Sequence, residues 1–408
     1  MSRSSEPART EFRRCSLVWV GSYFTVAGLF AGIGGLEQGF AAAGGRTEIL
    51  CEWWSPARAV LAHRFPDVPL AADVRDLRSL PSVDVVTAGF PCTDLSQAGR
   101  TTGIGGAQSG LVGEVFRLLR NHRAPLLVLE NVRNMLVLDG GAAMRYLTGE
   151  LESLGYRWAY RLLDSRFTGM PQRRQRVLLV AARDIDPRDV LFADDAGEPG
   201  ADRYHTEAHG FYWTEGLRGL GWAQDAVPTL KGGSSLGIPS PPAVWWPAGP
   251  LGGRVVVPDV AEAEVLQGFE PGWTEAALQS QVRNGPRWKL VGNAVTVGVS
   301  AWLGRRLVGP GQHCLEEVAV QVGSRWPTAA FGAAGQVWAV NASMWPVHEP
   351  YRHLAEVVDL ETARPLSARA TAGFLSRARR SGLRFAPGFL VDVEGHLGAV
   401  TGRVSVVA

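Results

Sequence analysis

Two residues that can do covalent chemistry follow apolar segments of the sequence. Cys92 comes after the apolar run 83–88 and a Gly-Phe-Pro turn, and Glu130 comes directly after the apolar run 126–129. A cysteine thiolate is a strong nucleophile, and a nearby carboxyl group can hold the ring nitrogen that gains charge as sulfur adds to a ring. The pair therefore predicts covalent attack on a polarised ring. The alternative for Cys92 is a small buried residue, as free cysteines usually are.

An arginine-rich segment precedes a further apolar run. Residues 171–176 read Pro-Gln-Arg-Arg-Gln-Arg before the apolar run 177–181. Side chains alternate along an extended segment, so Gln172, Arg174 and Arg176 share one face. A guanidinium on that face can help to populate a nearby thiolate. Structural ion pairs are the alternative role for these arginines.

A glycine-rich turn follows the first apolar run of the chain. Residues 30–35 read Phe-Ala-Gly-Ile-Gly-Gly, and glycines let a chain turn tightly and let a ligand approach the backbone. A dinucleotide-binding fingerprint requires another glycine at position 37, which is Glu37. The turn therefore argues against a dinucleotide-dependent dehydrogenase.

Acidic and aromatic side chains follow the next two predicted strands. Glu52 lies twenty residues beyond Gly32 and is followed by Trp53. A carboxylate at that position can bind ribose hydroxyls, and an indole beside it can stack on adenine. Asp73 can accept a hydrogen bond from an adenine amino group, or it can cap a helix. The combination favours a nucleoside ligand without a diphosphate.

Short apolar runs alternate with segments of helical period between residues 24 and 182. The pattern predicts strands over residues 24–30, 47–51, 83–88, 126–129 and 177–181, and helices over residues 36–43, 56–64, 112–122 and 143–154. This order is typical of a doubly wound, Rossmann-like α/β sheet. Ligands of such sheets bind at the carboxyl ends of the strands, where the residues above are found.

The composition is that of a folded chain. Its 408 residues are 46% hydrophobic and 20% charged, with a formal net charge of +2, which excludes a disordered protein and allows two or three domains. Only two of its 41 basic residues are lysines, Lys231 and Lys289. The arginine excess suits contacts with phosphate and base edges, and a GC-rich coding bias explains it equally well.

Cysteine spacing and hydropathy indicate the compartment. The four cysteines lie at least 36 residues apart, so no CxxC metal or redox pair and no secreted disulfide framework is expected. We therefore expect an intracellular protein. Residues 17–36 carry no charge, but their five glycines and the predicted strand 24–30 argue against a membrane span.

Five segments together resemble the ordered motifs of the cytosine-5 DNA methyltransferases that use S-adenosylmethionine. They are FAGIGG, GFPCTDLS, ENV, QRRQR and VGNAV, and the resemblance runs from about residue 24 to about residue 308. It implies a class I methyltransferase fold. It also implies that Cys92 attacks C6 of a flipped cytosine, that Glu130 holds N3, and that Arg176 with Arg174 steadies the base.

The resemblance also implies a cofactor site. The family positions that bind S-adenosylmethionine map onto Phe30, Gly32, Ile33, Gly34, Glu52, Trp53, Asp73, Pro91, Leu111 and Asn293. Methyl transfer of this kind needs no metal. Because Asn293 lies far along the chain, its helix is expected to fold back beside the first strand.

The family pattern divides the chain into five parts. We expect an N-terminal arm (1–23), a catalytic domain (24–182), a small target-recognition region (183–257), a return to the catalytic domain (258–314) and a C-terminal extension of unknown role (315–408). The expected partner is double-stranded DNA, with a cognate restriction endonuclease as a possible further partner. A monomer in the cytoplasm of a bacterial or phage-infected cell is expected.

The target-recognition region and the extension leave alternatives open. Residues 183–257 contain ten acidic and six basic residues, which is unusual for a DNA-binding surface. The aromatic residues Phe211, Tyr212, Trp213 and Trp222 can stack on bases or fill a core. Arginines 369, 377, 379, 380 and 384 can grip DNA or lie on an ordinary solvated helix.

The same fold allows two other functions. A DNA-binding regulator without catalysis would be expected to lack Cys92 or Glu130, and both are present. A tRNA-directed enzyme is the second alternative, since one branch of the fold methylates RNA.

Overall fold

The computed structural model describes residues 23–90, 110–232, 241–279, 285–321 and 323–402. The described strands are β1 (Phe24–Leu29), β2 (Gly45–Cys51), β3 (Leu70–Ala71), β4 (Val85–Ala88), β5 (Leu126–Val132), β6 (Arg157–Asp164), β7 (Gln172–Arg173), β8 (Gln175–Ala182), β9 (His209–Phe211), β10 (Trp222–Gln224), β11 (Val227–Pro228), β12 (Ala243–Trp245), β13 (Val255–Val257), β14 (Glu317–Ala319), β15 (Ala329–Ala333), β16 (Gln336–Val340) and β17 (Arg364–Pro365). The described helices are α1 (Gly35–Ala41), α2 (Ser55–Arg64), α3 (Gly110–Asn121), α4 (Ala142–Ser153), α5 (Pro187–Leu191), α6 (Val260–Leu266), α7 (Arg287–Asn293), α8 (Val297–Val308), α9 (Leu354–Val357), α10 (Ala368–Arg380) and α11 (Phe389–Val400).

The large sheet is parallel on one side and antiparallel on the other. Its strand order is β14-β16-β15-β6-β8-β5-β4-β1-β2-β3. The neighbours from β3 to β5 pair in parallel, whereas β8, β6, β15, β16 and β14 continue the sheet with antiparallel pairs. All five strands and four helices predicted between residues 24 and 182 are present, with ends shifted by a few residues.

Strand β6 was not predicted from the sequence, because polar residues interrupt its apolar pattern. Arg161 is fully buried at its centre, and its Nη2 lies 2.7 Å from Oδ1 of Asp195. The same guanidinium donates to the carbonyl oxygens of Leu191 and Asp194. An arginine with these partners can lie inside a sheet, which the hydropathy pattern alone does not reveal.

Helices cover both faces of the large sheet. On one face, Phe116 of α3 and Leu147 of α4 belong to one buried cluster with strand residues such as Leu127. On the other face, α1, α5 and α8 form a second cluster, to which Phe40 and Trp302 belong. The described part of the chain therefore contains a three-layer α/β/α arrangement. The carboxyl ends of its parallel strands remain free to form a site.

Helix α8 packs against α1 at very close range. A Cβ at Gly39 would lie 2.1 Å from Oγ of Ser300, so only glycine fits there. Ser300 Oγ donates to the carbonyl oxygen of Gly35 at 2.7 Å. The chain thus returns beside the first strand, as expected for a segment that must bring Asn293 to the glycine turn.

A second, antiparallel sheet has the order β10-β9-β12-β13-β17. Phe211 is fully buried, with its ring centroid 5.2 Å from that of Phe374 and 5.0 Å from that of Phe389. Trp222 packs on the same Phe389 ring at 5.1 Å. Phe211 and Trp222 therefore fill a core, which was one of the two roles considered for them.

The C-terminal 94 residues do not form one separate unit. Strands β14, β15 and β16 extend the large sheet beyond β6, whereas β17, α10 and α11 complete the second sheet and its core. Strand edges pair with the edge of a sheet, and apolar helix faces pack on a hydrophobic core. The two sheets each offer such a partner, so the segment divides between them. Of the described residues, none lies in a helix long and apolar enough to cross a membrane.

Glu37, the residue that replaces the fingerprint glycine, is buried beneath the strand ends. It is 1% exposed, and its Oε1 accepts a hydrogen bond from Thr87 Oγ1 at 3.3 Å, while Oε2 has no described partner. A Cβ at Gly28 would lie 2.3 Å from Glu37 Oε1, so glycine at position 28 makes room for the carboxyl group. Burial raises the pKa of Glu37 from 4.5 to about 7.

We predict that Glu37→Gln stabilises the protein in alkaline solution. Because the folded pKa lies above the unfolded value, the native state binds the extra proton, and wild-type stability falls as the pH rises from 4.5 to about 7. Removing the ionisable group should add up to about 3 kcal/mol above pH 8 and nothing near pH 4.5. Urea unfolding at both pH values measures this, with Glu207→Gln at an exposed residue as control. An equal effect of Glu37→Gln at both pH values would contradict the prediction.

Candidate active site

The glycine turn after β1 has backbone angles that glycine favours. Gly32 and Gly34 have φ angles of 58° and 84°, and a Cβ at Gly34 would lie 2.5 Å from the Phe65 ring. Phe30 adopts a φ of 54° although it carries a side chain, which costs about 1 kcal/mol or more. The turn therefore exposes backbone groups at the carboxyl end of β1.

Glu52 connects this turn to the end of β2. Its Oε2 accepts a hydrogen bond from the Gly32 N–H at 2.9 Å, and its Oε1 accepts one from the Trp54 N–H at 2.8 Å. Burial raises the pKa of Glu52, and these backbone hydrogen bonds oppose that effect. Each carboxylate oxygen keeps further acceptor capacity for a ligand.

A cavity of about 650 Å³ opens above these strand ends. Seven of the residues predicted for the cofactor line it, namely Phe30, Gly32, Glu52, Trp53, Asp73, Leu111 and Asn293. Its wall also contains Cys51, Trp54, Val74, Arg75, Gly89 and Lys289. A cavity of this size with several convergent polar groups is suited to a nucleoside-sized ligand.

Three predicted cofactor residues are not among the residues that line the cavity. The Ile33 side chain is 1% exposed and packs in a cluster with Val60 and Phe269, while its carbonyl oxygen accepts from Trp273 Nε1 at 2.9 Å. Gly34 faces Phe65. Pro91 lies outside the described residues, and so does the predicted nucleophile Cys92.

The outer rim of the cavity is formed by Trp53, Asp73 and Arg75. Arg75 donates to both carboxylate oxygens of Asp73, with Nη2 at 2.6 Å from Oδ2, and its guanidinium lies 5.5 Å from the centroid of a Trp53 ring. Asp73 Oδ1 also accepts from the Arg75 backbone N–H. Hydrogen bonds from Arg75 lower the pKa of Asp73, which therefore remains an acceptor.

Sequence reasoning missed the role of Lys289 in the wall. Its Nζ lies 4.6 Å from the centroid of a Trp54 ring, which is a cation–π contact. Lys289 precedes Asn293 by four residues on α7, and side chains at this spacing share a helix face. This periodicity was the signal that could have identified it.

Glu130 lies at the carboxyl end of β5, close to the cavity. Its side chain is 11% exposed, and its Oε1 lies 3.0 Å from Nε of Arg176. A Cβ at Gly89, which lines the cavity, would lie 4.0 Å from Glu130 Oε2. Burial lowers the pKa of Arg176, and the negative charge of Glu130 opposes this effect. The acid and its cation therefore adjoin the cavity as an ion pair.

A cleft of about 470 Å³ lies on the other side of Arg176. Residues 132–134, Arg173, Gln175 and Arg176 form one wall, and the opposite wall contains Tyr212, Glu215, Gly221, Pro228, Thr229 and Lys231. We call it the inter-sheet cleft. Its four basic residues, Arg133, Arg173, Arg176 and Lys231, exceed the single acidic residue Glu215 in its wall. This charge suits a phosphate-bearing ligand.

Arg174 makes no hydrogen bond or ion pair with Glu130 among the described residues and instead joins three segments of the chain. Its Nη1 donates to the carbonyl oxygens of Leu230 and Gly292 at 3.2 and 3.1 Å, and its Nη2 donates to that of Ala294 at 2.6 Å. The neighbouring Gln172 is also fully buried and bonds Leu266 and Leu230. Of the three residues predicted to share one face, Arg176 thus contacts Glu130. Gln172 and Arg174 instead bind backbone groups of distant segments.

One group of described side chains has the composition of a metal site. His205, Asp225 and His353 lie close together, far from the cavity residues in sequence. Asp225 already accepts hydrogen bonds from the backbone N–H groups of His205 and Leu354 and contacts His353 Nδ1 at 2.6 Å. The two imidazole rings stack 3.4 Å apart. Because a metal ion lies in the plane of each ligating ring, this stacked arrangement favours a hydrogen-bonded junction.

The chain is similar in sequence to known proteins. A sequence model described as C-5 cytosine-specific DNA methylase matches residues 24–197. The chain is 45% identical over 381 residues to the Type II methyltransferase M2.BsuMI of Bacillus subtilis (strain 168), which covers 90% of this chain and 97% of that protein. It is 35% identical over 185 residues to the Type II methyltransferase M.BanI of Aneurinibacillus aneurinilyticus, covering 44% and 43%.

A solved structure shares the fold. The crystal structure of the S. pombe Dnmt2 methyltransferase matches with a TM-score of 0.50 and 14% sequence identity, and the match covers 70% of this chain and 98% of that chain. This similarity confirms the expected α/β fold class.

We predict that Arg174→Met destabilises the protein strongly. The change removes the Arg174 donor from the carbonyl oxygens of Leu230 and Gly292, and each such unsatisfied group costs about 1–3 kcal/mol. The Ala294 carbonyl oxygen also loses Arg174 but keeps Gln267 Nε2 at 3.3 Å. We therefore expect a loss of at least about 2 kcal/mol in urea unfolding. Arg133→Met, which removes an exposed hydrogen bond to Gln175, is the control and should cost less than about 1 kcal/mol. Similar losses in the two variants would show that Arg174 does not hold these segments.

Proposed function

The chain belongs to the C-5 cytosine-specific DNA methylase family, and on this basis we propose that it transfers a methyl group from S-adenosylmethionine to C5 of a flipped cytosine in double-stranded DNA. Membership confirms the resemblance that the five sequence motifs indicated, and with it the assignment as a DNA methyltransferase. The roles of the individual residues in this reaction are proposals.

The observation that carries the proposal is the position of Glu130. Its carboxyl group adjoins the cavity through Gly89 and the inter-sheet cleft through Arg176. A methyl donor in the cavity and a base in the cleft would therefore meet beside one acid. A transferase needs such a meeting point, because its two substrates must react within van der Waals distance.

The cavity residues fit S-adenosylmethionine. Glu52 can accept further hydrogen bonds, from ribose hydroxyls. The indole rings of Trp53 and Trp54 can stack on adenine, and ionised Asp73 can accept a hydrogen bond from the adenine amino group. When bound, this cofactor supplies an electrophilic methyl group. Glu37, which blocks a dinucleotide fingerprint, leaves the nucleoside site unaffected because it is buried beneath the turn.

The base chemistry is assigned to Cys92 and Glu130. The Cys92 thiolate forms a bond to C6 of cytosine, Glu130 holds N3 as electron density moves into the ring, and C5 becomes nucleophilic. After C5 is methylated, a base removes the C5 proton and the sulfur–C6 bond breaks, which restores the thiolate. Arg176 keeps Glu130 in place through their ion pair. Cys92 follows Phe90 by two positions, and the Phe90 carbonyl oxygen accepts from Asn131, the neighbour of Glu130.

The partner and setting follow from the same proposal. The basic walls of the inter-sheet cleft favour contact with DNA phosphates, and the flipping of a base costs a few kcal/mol that such contacts can offset.

The two relatives are named Type II methyltransferases, so we propose a role beside a restriction endonuclease. We further propose a monomer in the bacterial cytoplasm. The presence of both Cys92 and Glu130 argues against a regulator without catalysis.

We predict that duplex DNA containing 5-fluorocytosine traps the enzyme covalently in the presence of S-adenosylmethionine. Fluorine replaces the proton that must leave C5, so the sulfur–C6 bond cannot break. Cys92→Ser should abolish the adduct in denaturing gel electrophoresis, while Cys314→Ser, at an exposed cysteine, should retain it. An equal adduct from Cys92→Ser would refute the assigned nucleophile. No adduct and no methylated cytosine from the wild type would refute the proposed reaction.

A further inference from the structure

The loop between β9 and β10 borders the inter-sheet cleft. This β9–β10 loop, residues 212–221, contributes Tyr212, Glu215 and Gly221 to the cleft wall. On the opposite wall lies Arg176, the partner of Glu130. A segment in this position would meet DNA beside a base that enters the cleft.

The two ends of the loop are held rigidly. Glu215 Oε2 accepts from the Gly221 N–H at 3.0 Å, and its Oε1 forms an ion pair with Lys231. The Lys231 ammonium also lies 4.0 Å from the centroid of the Tyr212 ring, whose hydroxyl donates to the Thr229 carbonyl oxygen at 2.6 Å. The cleft side of the loop is therefore fixed by its own hydrogen bonds.

Helix α10 supports the loop from behind. Arg377 donates from Nη2 to the Trp213 carbonyl oxygen at 2.5 Å and from Nε to that of Glu215 at 3.4 Å. A Cβ at Gly216 would lie 3.5 Å from Cβ of Arg377. Arg377 is thus used within the protein, so it is not available to grip DNA in the way considered from the sequence. It connects a helix of the C-terminal segment to a loop about 160 residues earlier in the chain.

The tip of the loop, in contrast, is open. Residues 217–219 are exposed, Leu217 is 53% exposed, and a Cβ at Gly219 would have nothing within 4 Å. Arg218 makes no hydrogen bond or ion pair with any residue that the structure describes. Two arginines in the cleft wall have protein partners, Arg133 with Gln175 and Arg176 with Glu130.

A rigid base with an open Leu-Arg tip is suited to reading DNA. Arginine binds the O6 and N7 atoms of guanine with two hydrogen bonds, which is the commonest specific contact in the major groove. A neighbouring apolar side chain can contact a thymine methyl group. Rigid support matters, because two hydrogen bonds to one base require the guanidinium to be held in a fixed orientation.

We propose that the β9–β10 loop reads base pairs next to the target cytosine, that Arg218 is its specificity-determining side chain and binds a guanine, and that Arg377 of α10 positions the loop. This inference rests on the proposed function. It also makes the segment 364–402 a working part of target recognition, in addition to the region 183–257 predicted from the sequence.

The test measures sequence preference rather than activity alone. Wild type, Arg218→Ala and the control Arg380→Ala are expressed in a host without cytosine methylation, and bisulfite sequencing gives the recognised sequence. Arg380 is a suitable control because its Nε donates only within α10, to the Ser376 carbonyl oxygen. We expect Arg218→Ala to relax one guanine position. With purified enzyme, the ratio of kcat/KM between the recognised sequence and its variant at that position should fall about 10–100-fold, with cofactor Kd unchanged.

Arg377 is tested as a positioning residue. Arg377→Ala should lower the same ratio at unchanged cofactor Kd, and Arg377→Lys, which can still donate to a carbonyl oxygen, should restore part of it. Arg380→Ala should leave the ratio as in wild type. An Arg218→Ala enzyme that loses activity equally on all sequences, or that retains the wild-type ratio, overturns the loop assignment while the proposed function stands. A wild-type protein that binds the cofactor and methylates no duplex overturns both.

Discussion

The ion pair between Arg176 and Glu130 is the constraint around which the rest of the structure is organised. A carboxylate that is 11% exposed at a strand end needs a compensating charge, and Arg176 supplies it from the antiparallel strand β8 at 3.0 Å. In the ladder between β5 and β8, Val132 lies opposite Arg176 and Asn131 opposite Val177. The pairing of one antiparallel strand with an otherwise parallel half-sheet therefore brings the acid and its partner together.

The same segment also holds distant parts of the chain together. Arg174, two residues before Arg176, donates to carbonyl oxygens at positions 230, 292 and 294, which come from two distant parts of the sequence. The parallel strand ends surround the cavity, and the second sheet supplies the opposite wall of the inter-sheet cleft. The C-terminal residues contribute strands to both sheets.

Local patterns in the sequence predicted the elements that bury one clear face. The five strands and four helices between residues 24 and 182 are examples. The glycine turn and Glu52 were found because a cofactor edge requires backbone exposure and an acceptor at fixed positions. Seven predicted cofactor residues line one cavity, although their roles remain predictions.

Features that depend on distant partners were not predictable. Arg161 is buried in β6 because Asp195 and three carbonyl oxygens meet it there, and Ile33 faces the core because α2 and Phe269 cover it. Arg174 and Arg176 are alike in sequence, and only the tertiary contacts separate a chain-holding residue from one beside the acid. The division of the C-terminal segment between two sheets likewise depends on strand pairing over more than 100 residues.

The most direct test of the central claim is the single-turnover rate of methyl transfer by Glu130→Gln, measured together with its Kd for S-adenosylmethionine. Glutamine keeps the size of the side chain, but it lacks the negative charge that pairs with Arg176 and cannot exchange a proton with N3 of the base. We expect a rate at least about 100-fold lower, with the cofactor Kd within about twofold of wild type. A wild-type rate, or a loss of cofactor binding as large as the loss of rate, would contradict the position of Glu130 between the two substrates.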